Sequence, residues 1–184
     1  MTARPPPDYL IATVPGYSPT IGRLVSMLAY VRATTLEAVE GLTQPDLDHL
    51  LDDDANSIAM LLEHIPSVEE YYQRNSLGLT TPAAASERTR LGARLGDEAR
   101  ERVRGQPLDY YLERMHNVRT RTLEALAQRD DTWLDEIHPF GNAKHANNHW
   151  KWFHVLEDEL SHRGQILLIR KRLPDRGTDR VAAG

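Results

Sequence analysis

The stretch HVLEDELSHRGQILLIRKRL, residues 154–173, determines how the remainder of the chain folds around it. Its apolar residues recur every three or four positions, the spacing of a helix with one buried face. The run extends back to about Asn148, and Pro174 stops it, so a helix is predicted over 148–173. Within it His154, Asp158 and His162 stand four residues apart, on successive turns. At 100° per residue His154, Asp158 and Gln165 lie within about 40° of one another. Trp150 begins this strip, and Leu168 and Ile169 continue it, which predicts a core-facing strip with a polar middle. Unsatisfied buried polar groups cost about 1–3 kcal/mol each, so the row needs partners from another part of the chain.

Working outward, three more amphipathic segments are readable. Ile21, Leu24, Val25, Leu28, Val31, Leu36 and Val39 mark a helix from Thr20 to about Glu40, left at Gly41. A second begins at Asn56 or Ser57 and carries Ile58, Leu61, Leu62, Ile65, Val68 and Tyr72, with a kink or a local break expected at Pro66. Pro107 opens a third, which runs through Leu108, Tyr111, Leu112, Met115, Val118, Thr122 and Leu126 towards Gln128. Between the second and third, residues 77–105 form a long connection with a short helix near Asp97–Val103, long enough for a crossover. No period-two alternation predicts a strand. The fold expected is all-α, a four-helix bundle over 20–173, with an extended leader at 1–19 and a loose tail at 174–184.

Composition narrows the function. With a net charge of −5 and no basic patch, nucleic acid is not an expected partner. Arg163, Arg170, Lys171 and Arg172 lie towards a helix C-terminus, where cations suit the helix dipole. No run approaches a membrane span and the N-terminus lacks a secretory pattern, so a cytoplasmic location is expected. The chain has no cysteine, which removes disulfides, thiolate ligands and a cysteine nucleophile.

The polar row has the makings of a metal site. His154 and His162 are about 12 Å apart along the axis, too far to share one ion. The available pairs are therefore His154 with Asp158, or Asp158 with His162. His64, placed among Leu61, Ile65 and Val68 on the second helix, is the candidate third ligand. Other residues carry less. His145 and His149 lack an acidic partner, and Trp133, Phe140, Trp150 and Trp152 could line a pocket mouth or belong to the core. Tyr71 and Tyr72 share that ambiguity, and Glu69 and Glu70 read as solvated or helix-pairing residues.

NSIAMLLEHIPSVEEYY on one helix together with HVLEDELSHRGQILLIRKRL on the last resembles the DinB-like superfamily of bacterial helical-bundle proteins. The resemblance implies a divalent metal held by His64, Asp158 and His162, with Asp158 standing where many members carry histidine. Zinc, nickel, iron or manganese all suit two imidazoles and a carboxylate. His154 would then be the catalytic base or a partner of the ligands. The activity implied is transfer of a low-molecular-weight thiol to a small electrophilic substrate, in a protein that pairs as a homodimer. The alternatives are a metal-dependent hydrolase and a non-enzymatic, stress-related binding bundle.

Overall fold

A computed structural model of the chain describes residues 9–142 and 144–174. Residues 1–8 of the expected leader and 175–184 of the expected tail therefore lie outside the described residues. Eight α-helices appear among the described residues, and four are long: α1 (Pro19–Val39), α3 (Ile58–Tyr72), α6 (Leu108–Leu126) and α8 (Asn148–Lys171). The short ones are α2 (Gln44–Leu47), α4 (Ala83–Ala93), α5 (Asp97–Arg102) and α7 (Thr132–Asp135). No helix among the described residues is long and apolar enough to cross a membrane.

The helix starts follow from local chemistry. The Ser57 side chain accepts from Met60 N at the start of α3, and Asn147 accepts from Trp150 N at the start of α8. Ser18 precedes α1 but caps it indirectly: Asp131, from the α6–α7 junction, accepts from Ser18 Oγ and from the Thr20 and Ile21 amides. The Ser18 hydroxyl, ahead of opposing desolvation and aided by those amides, holds the Asp131 carboxyl below its usual range.

Side-chain pairings set the helix directions. Glu63 with Arg114, Glu69 with Arg119 and Gln73 with Thr122 advance together, so α3 and α6 run parallel. Arg32 with Glu159 and Arg170 with the Ala38 carbonyl make α1 and α8 parallel. His64 beside His162 and Asn75 beside Lys151 run in opposite senses, so α3 and α8 are antiparallel. Parallel α3 and α6 require the connection between them to return the length of a helix, and residues 73–107 do so through α4 and α5.

One apolar cluster joins Val39, Leu61, Leu62, Ile65, Tyr111, Met115, Ile166 and Ile169. The other joins Ile21, Leu28, Tyr72, Leu126, Trp133, Trp152 and Val155 at the opposite end. Between them lie four buried charges, one from each long helix. Arg32 pairs with Glu69 (3.3 Å) and Glu159 (2.7 Å), and Arg119 pairs with the same two (2.8 and 3.0 Å). One Nη1 hydrogen of each guanidinium reaches a backbone oxygen: Arg32 donates to Met115 O and Arg119 to Leu28 O. Burial opposes charge here, but Arg119 and Arg32 outweigh it and hold the Glu69 carboxyl low.

Several expectations are corrected. The all-α reading missed a hairpin, β1 (Ile137–Phe140) antiparallel to β2 (Lys144–Asn147), with His138 opposite Ala146. Four-residue strands, one containing Pro139, carry too little alternation to be read. Helix α4 was missed because only Leu91 and Thr89 of its described side chains are buried, leaving no apolar stripe. Pro66 lies inside α3 without the local break that was one of the two outcomes expected there, and a π-helical turn follows at Gln73–Leu77. The core face of α8 is Trp152, Val155, Glu159, His162, Ile166 and Ile169, whereas Trp150 and Leu168 are half exposed. Of the two readings of Glu69 and Glu70, solvation is wrong and helix pairing holds: both are buried and pair with arginines of neighbouring helices.

Candidate metal centre

Asp158 and His162 project from α8 one turn apart, and His64 meets them from α3. Asp158 Oδ1 stands 3.5 Å from His64 Nε2 and 3.4 Å from His162 Nε2. The two imidazoles meet edge to face with centroids 4.7 Å apart. One donor atom from each residue lies within 4.8 Å of the other two, the one such group among the described residues. Side-chain exposures of 11–13 % leave the cluster half-buried and within reach of solvent.

The remaining imidazole nitrogens are committed. His64 Nδ1 lies 2.7 Å from Gly92 O, on α4, and a carbonyl can only accept, so Nδ1 carries the proton. His162 Nδ1 lies 3.1 Å from Gln165 Oε1, which accepts in the same way. In the neutral imidazoles each Nε2 is thereby the nitrogen with the lone pair, on the side of Asp158. Histidine ligands are commonly oriented by such bonds at the other nitrogen.

These residues fit a metal ion. Tetrahedral bonds of about 2.0–2.1 Å separate neighbouring donors by about 3.3 Å, close to the distances from Asp158 Oδ1 to the two Nε2 atoms. Asp158 Oδ2 is buried and accepts no hydrogen bond from the described residues. Burial alone would raise the Asp158 carboxyl, but His162 and His64 hold it well below the carboxylate range. Burial likewise opposes the His162 imidazolium, and the Asp158 carboxylate prevails and raises its pKa.

His154 is not part of the cluster. Its side chain is 36 % exposed, with Nδ1 3.2 Å from Glu157 Oε2 on its own helix. Its ring stacks on Trp150 at 5.2 Å and meets Tyr72 edge-on at 5.8 Å. Phe140 completes the group, 5.1 Å from Trp150 and 6.3 Å from Tyr72. Tyr72 is buried; that burial, with Tyr71 and the Asp158 charge, raises its phenol pKa. Trp133 and Trp152 belong to the core, whereas Phe140 and Trp150 line a cavity of about 570 Å³ with Ile137, Lys144, His145 and Ala146. His145 and His149 are exposed and belong to no cluster of three or more metal-ligating side chains among the described residues. The part of the site absent from sequence reasoning is Gly92: a backbone carbonyl on an unrecognised helix gives no side-chain signal.

Compared with known families, residues 23–174 match the model of the mycothiol-S-transferase family. The chain belongs to the mycothiol-S-transferase family. The matched span of this mycothiol-S-transferase family member contains His64, Asp158 and His162. No curated protein matches the chain. Among solved structures, it is similar to a DinB-like protein from Bacillus cereus ATCC 10987, with a TM-score of 0.62 and 16 % identity, covering 82 % of this chain and 90 % of that one. At that identity the likeness is one of fold, and it agrees with the DinB-like resemblance.

Proposed function

We propose that this family member binds one divalent metal ion through His64, Asp158 and His162 and catalyses transfer of a low-molecular-weight thiol to a small electrophile. The observation that carries this reading is the convergence of two imidazole Nε2 atoms on one carboxylate oxygen, at 3.4 and 3.5 Å. By ligand type the ion is zinc, nickel, iron or manganese. A bound metal would lower the pKa of a coordinated thiol, supplying a thiolate at neutral pH. The chain has no cysteine, so the thiol is a cosubstrate.

The chain's own residues position and protonate. Asp158, kept ionised by its two histidines, offsets the charge of a cation beside them. His154 is the proton carrier in this reading. With Nδ1–H donated to Glu157, its Nε2 is the basic nitrogen, one turn from Asp158 and braced by Trp150 and Tyr72. The cavity at Phe140 and Trp150 takes the apolar part of the electrophile, with Lys144 at its rim for an anionic group. The same reading takes the four long helices as a four-helix bundle working in the cytoplasm, and the exposed Phe153, Leu167 and Leu168 of α8 as the homodimer face.

The experiment is conjugation of mycothiol, bacillithiol or glutathione to a generic electrophile by metal-loaded and chelated protein. A metal-dependent rate with one thiol supports the reading. Thiol-independent hydrolysis, or no rate above background, overturns it.

A further inference from the structure

We infer that Gly92 is a positioning residue for the metal centre: its missing side chain brings α4 close enough to α3 for Gly92 O to accept from His64 Nδ1. The inference rests on the metal-binding reading above for its consequence, and on packing for its cause. A Cβ at position 92 would overlap Ser67 Oγ and stand 2.6 Å from Glu63 O, closer than real Cβ atoms approach. Neither obstacle moves freely. Glu63 O belongs to the interior backbone of α3, and Ser67 Oγ donates to it at 2.7 Å while accepting from Arg114 Nη2 at 2.9 Å. Gly92 is not among the positive-φ glycines, so what it contributes is room rather than an unusual backbone torsion.

The consequence falls on one proton. While Gly92 O holds His64 Nδ1–H at 2.7 Å, Nε2 keeps its lone pair towards Asp158. If α4 is pushed away, the acceptor recedes and the imidazole gains by moving its proton to Nε2, where it donates to the Asp158 carboxylate. That tautomer cannot ligate through Nε2. Loss of comparable partners behind metal-bound histidines costs about 10–100-fold in affinity.

The test is Gly92→Ala, followed by thermal melting, by nitrogen-15 NMR of the histidine tautomers in metal-free protein, and by Zn²⁺ competition with a chelating dye. Expected are a folded variant, a shift of His64 from the Nδ1–H form towards the Nε2–H form, and Zn²⁺ affinity about 10–100-fold weaker. Unchanged affinity, or weaker affinity with the tautomer unmoved, overturns the inference. Should the variant not fold, the wild type decides: an Nδ1–H tautomer with a slowly exchanging proton supports it, and an Nε2–H tautomer overturns it. Wild-type protein that binds no Zn²⁺ would refute the metal reading, while the tautomer measurement still judges Gly92.

Discussion

His64 and Asp158 meet across the antiparallel contact of α3 and α8 with Nε2 and Oδ1 3.5 Å apart. Neither residue is drawn there by sequence proximity, and each stands beside residues of the core. Two long helices thus bring an acceptor nitrogen and a carboxylate to one point, with His162 as the third donor.

Asp158→Asn keeps the size and removes the charge. An amide is a poor substitute for a carboxylate ligand, so Zn²⁺ affinity is expected to fall about 100-fold, in line with the sensitivity of metal sites to their ligand shells. Dye competition measures it; affinity within a factor of about three of wild type would remove Asp158 from the site.

The pH dependence has opposite signs with and without metal. His162 is raised from 6.5, so its contribution to the metal-free fold is complete below about pH 6.5 and is lost as pH rises through the higher folded value. Asp158 is depressed from 3.8, so its contribution is present above about pH 4 and is lost only as pH falls through the lower folded value. The Tm of chelated protein should therefore decline as pH rises above about 6.5. Metal affinity should increase over the same range, because ligation needs neutral imidazole. Parallel pH trends in the two measurements would contradict this assignment.

The four buried charges set a stability prediction. Arg119→Met leaves Glu69 with Arg32 alone and an uncompensated negative charge, for a loss of about 3–5 kcal/mol by urea unfolding. Adding Glu69→Gln to Arg119→Met restores neutrality and should recover part of that loss, whereas strictly additive losses would show that the four do not act as a network.

His154→Gln separates proton transfer from metal binding. Metal content should remain, and kcat for thiol conjugation should fall about 100-fold or more. Trp150→Ala should instead raise KM for apolar electrophiles, with the smaller effect on kcat. Loss of metal in His154→Gln would mean that His154 supports the ligands rather than the reaction.

The extent to which the sequence foretold this arrangement follows from what leaves a side-chain pattern. Four-residue spacing placed Asp158 in a pair with either His154 or His162 and left that choice open; the DinB-like resemblance pointed to His162, and His64 stood out because a histidine among Leu61, Ile65 and Val68 needs a partner. The same periodicity placed the face of α8 wrongly. Trp150 and Trp152 are both large aromatics, and only tertiary packing selects Trp152 for the core. Glu69 gave no sign of burial, since its arginine partners come from helices distant in sequence. Helix α4 and the hairpin of residues 137–147 were illegible for want of an apolar stripe or sustained alternation.

The central claim is that His64, Asp158 and His162 together hold one metal ion. Elemental analysis of purified wild-type protein, His64→Ala and His162→Ala tests it most directly. One equivalent of divalent metal per wild-type chain, with none retained by either folded variant, is the predicted result. A metal-free wild type that takes up no ion on titration, or variants that keep a full equivalent, would contradict it.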